Sequence, residues 1–192
     1  MFHLDLGKKA ASVAAAIAVM IGVLLVSPSL AEACGAKGFL KEVSGKMLGA
    51  AKSGSVGKFR NLIKNYADVG AIGKFALGKH QKLVKSSHRK AYEKGMLEFM
   101  AKTLADYGKK FRAIDVEVGR CAGNKVNARL IRSSGRAQPV IWKVKKKGSK
   151  YKVVDLQVQN VWLGPLMRTT FNDVIKKGGG SIAALYQYLG MS

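Results

Sequence analysis

At Ile114 the spacing of apolar residues changes from helical to strictly alternating, and that change constrains the fold more than any other feature of the chain. Ile114, Val116 and Val118 alternate with Asp115 and Glu117; Val126, Ala128 and Leu130 with Asn127 and Arg129. Val140, Trp142 and Val144 alternate with Lys143 and Lys145; Val154, Leu156 and Val158 with Asp155 and Gln157. Successive side chains of a strand point to opposite faces, so each segment predicts a half-buried strand. The breaks between them, Ala122-Gly123-Asn124, Ser134-Gly135-Arg136 and Gly148-Ser149, have hairpin length. Four strands in an antiparallel meander follow, with one wet face and one apolar face that other elements must cover.

The cover is helical. Phe39, Leu40, Val43, Met47 and Leu48 form one stripe, and Phe59, Leu62, Ile63 and Tyr66 a second beyond the turn Ser53-Gly54-Ser55. A short third helix is predicted from Asp68, its cap, to Leu77, with Ile72, Phe75 and Ala76 inward. A fourth begins after Ser86-Ser87 and places Tyr92, Met96, Phe99, Met100, Thr103, Leu104 and Tyr107 on one face. Taken alone, a stripe of Met and aromatic residues reads as ordinary core. Past the strands, Gly164-Pro165 opens another helix that carries Leu166, Phe171, Val174 and Ile175, and Gly178-Gly179-Gly180 ends it before a last short helix from Ile182 to Leu189. The expected class is one α+β domain: four N-terminal helices, a four-stranded sheet and a C-terminal helical cap. Helices gathered on one side of such a sheet enclose an apolar interior, to be filled by side chains or by a ligand.

Residues 1–33 read as an address. Lys8 and Lys9 precede the uncharged run Ala10–Val26, followed by Pro28 and the small-residue sequence Ala31-Glu32-Ala33, the order of a secretory signal peptide. The run has 17 residues, six of them Ala, short of the roughly 20 that a bilayer core requires. Cleavage after Ala33 is expected, leaving residues 34–192 as an exported, periplasmic domain with Cys34 first. Glu32 and the lack of an aliphatic residue at Ala31 argue against lipid modification of that cysteine. Cys34 and Cys121 are the two cysteines of the chain, and an oxidising compartment allows them to pair, which is the expectation here.

Thirty-four Lys and Arg against eleven Asp and Glu give a net charge of +23. The leader holds two charges of each sign, so the exported part keeps all of it. Export makes nucleic acid a poor partner for this charge. A solvated cationic surface and a face that docks on anionic headgroups both fit it. For catalysis the sequence offers little: no G-x-S-x-G and no P-loop. His80 and His88 stand eight apart among Lys and Arg without a metal-ligand pattern, and Asp115 with Glu117 reads as a solvated strand face. No enzyme, no metal and no cofactor are expected.

Three segments carry a family resemblance. One is Tyr66-Ala-Asp68-Val-Gly-Ala-Ile72-Gly-Lys-Phe75-Ala76-Leu77-Gly78-Lys, similar to a short helix that closes in A-L-G before a basic residue; another is Ser87 to Phe99, which resembles a helix reading "T-P-E-Q-R…F…F". The most specific runs through Pro139-Val140-Ile-Trp142-Lys, Tyr151 to Leu163 and Arg168-Thr-Thr-Phe171-Asn-Asp-Val174-Ile175 to the triple glycine. It is similar to "W-K-V-x-D-V-x-V-x-G-V-S-L", then "R-x-x-F-x-x-I-I" and a Gly-rich helix end. These patterns resemble the MlaC, or toluene-tolerance auxiliary, family, the periplasmic lipid-binding component of Mla-type ABC transport systems. The resemblance spans roughly residues 55 to 189. Asn160 stands where Gly is usual, Trp162 where Ser is usual, and Ser87-His88-Arg89 replaces an acidic helix start.

The resemblance implies an NTF2-like fold around a deep apolar cavity for acyl chains that leaves the headgroup exposed. It implies a shuttle, monomeric so as to diffuse, that carries phospholipid between an outer-membrane lipoprotein complex and an inner-membrane ABC transporter with its substrate-binding ring. On that reading Phe75, Met96, Phe99, Met100, Leu104, Val140, Trp142, Val144, Leu156, Val158, Val161, Trp162 and Phe171 line the cavity. Arg168 contacts the headgroup or pairs with a strand carboxylate such as Asp155. A hopanoid or sterol-like cargo, stacked on Trp162, is the alternative within the family; a cationic membrane-docking adaptor without cargo is the alternative outside it.

Overall fold

A computed structural model describes residues 28–108, 110 and 112–191, with side chains from residue 35 onward. Residues 1–27 of the expected leader thus lie outside the described residues, and at 28–34, which include the expected cleavage point, only the backbone is described. Helices α1 (Pro28–Ser53), α2 (Val56–Tyr66), α3 (Val69–Leu77) and α4 (Arg89–Gly108) precede five strands: β1 (Ala113–Ala122), β2 (Lys125–Arg132), β3 (Gln138–Lys147), β4 (Lys150–Val158) and β5 (Val161–Trp162). Helices α5 (Leu163–Lys177) and α6 (Ile182–Tyr188) follow. The strands form one antiparallel sheet in sequence order, β1-β2-β3-β4-β5. The architecture is α+β, with N-terminal helices packed against an antiparallel sheet and helices at the C-terminus.

Local chemistry sets the helix starts. Ser55 accepts from the Lys58 N–H and Asp68 from the Ala71 N–H, and each supplies an acceptor to a first-turn amide that has no partner within the helix. Helix α1 starts at Pro28, earlier than the spacing from Gly35 predicted, as proline tolerates a first helical turn. Two 3-10 turns, Gly78–Leu83 and Ser86–His88, join α3 to α4. Gly78 makes the break at the end of α3 with φ +53°, a conformation open chiefly to glycine.

The sheet has five strands where four were expected. The fifth is two residues long and follows a turn in which Gln159 and Asn160 have φ of 52° and 62°. Asparagine tolerates this left-handed geometry, so Asn160 fills a place where the family pattern has glycine. Ile114 is not inward as alternation predicted. A register shift between Ala113 and Asp115 turns it outward, and it is 50% exposed.

Burial is divided among three clusters. Ala36, Leu40 and Val43 of α1 pack on the sheet face made by Val126, Ala128, Val140, Trp142, Val144, Val153 and Leu156. Ile72, Ala76 and Leu77 of α3 meet Tyr92 and Met96 of α4 with Phe171, Ile175 and Leu185 of the C-terminal helices. Ala50 of α1, Phe59 and Ile63 of α2 and Ala101 and Ala105 of α4 form the third. None of the helices is long and apolar enough to cross a membrane, among the described residues.

Candidate functional site

Where the three clusters meet they leave a cavity of about 210 Å³. Helix α4 explains it. Met96 faces the C-terminal cluster and Ala101 and Ala105 face α1 and α2, while Phe99, Met100, Thr103 and Leu104 lie between these directions and border the void. Val43 and Met47 of α1, Leu62 and Ile63 of α2, Ile72 of α3, Trp142 and Leu156 of the sheet, Met167 of α5 and Tyr188 of α6 complete the walls, so every helix contributes. Leu166 and Tyr188 line the cavity yet are 51% and 45% exposed, which locates its mouth between α5 and α6.

Three polar side chains of these walls are tied to protein partners, whereas the buried Trp142 Nε1 has none among the described residues. The Thr170 hydroxyl donates to the Leu166 carbonyl at 3.0 Å, and the Tyr66 hydroxyl donates to Glu42 at 2.5 Å. That contact holds the Tyr66 phenol above its ordinary pKa, with burial and the Glu42 charge acting in the same direction. Asp155 accepts from the Leu156 and Gly164 N–H groups at 2.8 and 2.9 Å. The latter bond caps α5, whose N-cap residue, Trp162, has no oxygen to offer. What remains facing the void is mainly hydrocarbon, thioether and ring. An apolar hole of about 150 Å³ stays dry and holds a benzene-sized guest. This one is larger, and its Met47, Met100 and Met167 side chains can rearrange around a guest.

Of the residues the sequence proposed for the cavity, Phe99, Met100, Leu104, Trp142 and Leu156 are brought together there. Met96 and Phe171 are fully buried behind the wall, Phe171 with its ring centroid 5.9 Å from that of Phe99. Val140 belongs to the sheet core, and half-buried Val158 packs against it. Phe75 does not point inward: it is 41% exposed and, with Val144, lines a separate cleft between α3 and the β3–β4 hairpin. Val161, 47% exposed at the sheet edge, and Trp162, half-buried with the Lys125 ammonium 5.6 Å from its ring centroid, lie outside the cavity. Arg168 is partnered not by Asp155 but by Phe75: its Nε donates to the Phe75 carbonyl at 2.9 Å and its guanidinium lies 3.8 Å from the centre of the ring.

The sequence missed Val43, Met47, Leu62, Ile63, Ile72, Met167 and Tyr188 as wall residues. All but Met167 and Tyr188 were recognised as apolar helix positions, but periodicity shows which face is inward and not whether a void stands before it. His80 and His88 lie outside the cavity, His88 with its ring 6.2 Å from that of Tyr186. No group of three His, Cys, Asp or Glu that could hold a metal ion occurs among the described residues. Cys121 is half-buried on β1 against the α1–sheet core, and the side chain of Cys34 lies outside the described residues.

A family model described as "MlaC protein" matches residues 42–190. No curated protein matches the sequence. Among solved structures, the phospholipid-binding protein from Ralstonia solanacearum in complex with a phospholipid superposes with a TM-score of 0.63. The match covers 81% of this chain and 94% of that one at 21% identity. At such identity the likeness speaks for the fold.

Proposed function

The chain belongs to the MlaC family, and on that premise we propose that it is a periplasmic, non-catalytic carrier that encloses the acyl chains of a phospholipid. The observation that carries this reading is the apolar cavity at the junction of three cores, walled by Met and aromatic side chains and opening beside Leu166 and Tyr188. Hydrocarbon burial is worth roughly 0.8 kcal/mol per CH₂, so a 16-carbon chain gains about 12 kcal/mol on leaving water. A carrier crossing an aqueous space must supply that shelter. The cavity measures about 210 Å³, and Met47, Met100 and Met167 are the side chains whose movement would widen it for whole acyl chains.

The wider reading follows the family. Residues 1–33 direct export and are removed, the mature domain is 34–192 with an NTF2-like fold, and Cys34 pairs with Cys121. The monomer passes lipid between an outer-membrane lipoprotein complex and an inner-membrane ABC transporter with its substrate-binding ring, touching anionic membrane in transit. Trp162 lies under Lys125 and away from the cavity. That position favours flexible acyl chains over a rigid polycyclic cargo stacked on its ring.

The test is organic extraction of the protein purified without detergent, followed by mass spectrometry. Phospholipid at about one molecule per chain is the expected result. Protein that is empty as purified, and still empty after incubation with phospholipid vesicles, would overturn the reading.

A further inference from the structure

The mouth of the cavity lies between α5 and α6, and the rest of the molecule holds these two helices by different means. Helix α5 is tied on two sides by directed polar contacts. Its first turn is fixed to β4 by the Gly164 N–H, which donates to Asp155 at 2.9 Å. One turn on, Arg168 Nε donates to the Phe75 carbonyl of α3 at 2.9 Å, with the guanidinium on the Phe75 ring. Gly78 leaves room for that side chain, since a Cβ there would stand 3.2 Å from Nε. Helix α6 has no such tie. Neither the side chains nor the backbone of its seven residues hydrogen-bond to another element among the described residues. Packing alone holds it, through the fully buried Leu185, Leu189 just beyond its end and the rings of Tyr186 and Tyr188. Its connection to α5 is Gly178-Gly179-Gly180, three residues without side chains, the last two at φ of 68° and 84°. Backbone of this kind reorients at little steric cost.

Tyr188 stands where α6 meets the mouth. It lines the cavity and is 45% exposed, and its ring lies 5.5 Å from that of Phe99 in the wall and 6.3 Å from that of the buried Phe171 behind it. A side chain that is at once wall and surface stands between the cavity and solvent. We propose that α6 is the gate of the cavity, hinged at Gly178–Gly180 and closed by Tyr188, and that it moves against a fixed α5. The inference rests on the carrier reading and adds to it the route by which lipid enters and leaves.

A disulfide can lock this gate. A Cβ at Gly95 of α4 would lie 3.6 Å from Leu189 Cβ, within the range of about 3.5–4.5 Å that a disulfide spans, and the flexible Met191 side chain, 2.7 Å from the same point, would move aside. The test loads wild type and a G95C/L189C variant with pyrene-labelled phosphatidylglycerol and follows release to unlabelled phosphatidylglycerol vesicles, the variant being measured oxidised and reduced. Both states of the variant carry the same substitutions, so their difference reports the lock, and wild type treated alike corrects for Cys34 and Cys121. Release is expected to be slower by about tenfold or more in the oxidised state. Tyr188→Ala should release lipid about tenfold faster than wild type, the scale of two lost aromatic pairs. Equal rates from the oxidised and reduced variant, with the cross-link established by mass spectrometry, would overturn the proposal. So would faster release from Arg168→Ala, which unties α5 from α3, with none from Tyr188→Ala. If the double variant does not fold or does not cross-link, Tyr188→Ala decides, and unchanged release from it refutes the gate. Failure of wild type to take up lipid would count against the carrier reading instead, and amide hydrogen exchange of the empty protein then decides the gate. Exchange about tenfold faster in residues 182–188 than in 166–175 supports it, and equal protection of the two helices refutes it.

Discussion

Asp68 joins three parts of the molecule through one short side chain. Its carboxylate caps α3 through the Ala71 N–H at 3.2 Å and meets the Lys147 ammonium at 3.2 Å, while its own backbone N–H donates to the Val153 carbonyl of β4 at 2.9 Å. Burial by itself pushes its pKa up, but the Ala71 amide and the Lys147 and Lys145 charges outweigh it and hold the group below the usual carboxylate range. A hydrogen bond and charge from Arg60 lower Glu98 in the same sense, against a smaller opposing effect of burial. For a depressed folded pKa the sign is fixed: the stabilisation is present above the unfolded value, near 4, and is lost as pH falls through the folded pKa. Stability measured by urea unfolding should therefore be flat from pH 7 to about 5 and fall below about 4. Asp68→Asn keeps a capping oxygen but no charge, so its stability should be lower at pH 7 and should fall less steeply with acid. An unchanged acid slope in this variant would show that Asp68 does not contribute to it.

Among the elements, the pairing of α3 with α4 holds one side of the cavity. Gly73 makes it close: a Cβ there would stand 3.0 Å from the Tyr92 ring and 3.4 Å from Met96 Cγ, both in the buried C-terminal cluster. The Tyr92 hydroxyl donates to the Gly73 carbonyl at 2.9 Å, and burial pushes its phenol pKa up. Gly73→Val should cost about 1–3 kcal/mol by overpacking, read as a lowered urea midpoint with an unchanged slope. A variant as stable as wild type would mean that the helices separate without penalty. This junction also marks how far the sequence could be read. Asp68 as cap, Gly78 as break and the inward Ile72 and Ala76 were legible because capping and periodicity are local. Phe75 read as inward on the same periodicity, yet it faces a cleft built by a hairpin some 70 residues away in sequence. The strands were legible because each is buried on one face. The bulge that exposes Ile114 and the two residues of β5 were not, since both depend on cross-strand pairing.

At the scale of the whole molecule, the cavity is a product of three cores that do not merge, and no single stretch of sequence encodes it. Met47 from α1, Met100 from α4 and Met167 from α5 reach one space from segments far apart in the chain. That is why the wall could be named in part from a family pattern but not from any one helix. An open interior also has an energetic consequence. Side chains that border a void lose contacts they would make in a filled core, and a guest that fills it binds the folded state alone. Lipid at about 100 times its dissociation constant should then add about 2.7 kcal/mol of stability, or about 5–10 °C in Tm for a domain of this size. Met100→Glu tests whether that gain comes from this cavity. A carboxylate at the wall draws water into the space and opposes hydrocarbon there, so the lipid-dependent rise in Tm should vanish and extracted lipid should fall, while the circular dichroism of the empty protein stays native. If the variant folds and still gains stability from lipid as the wild type does, the acyl chains lie elsewhere, and the three cores enclose a space the protein does not use.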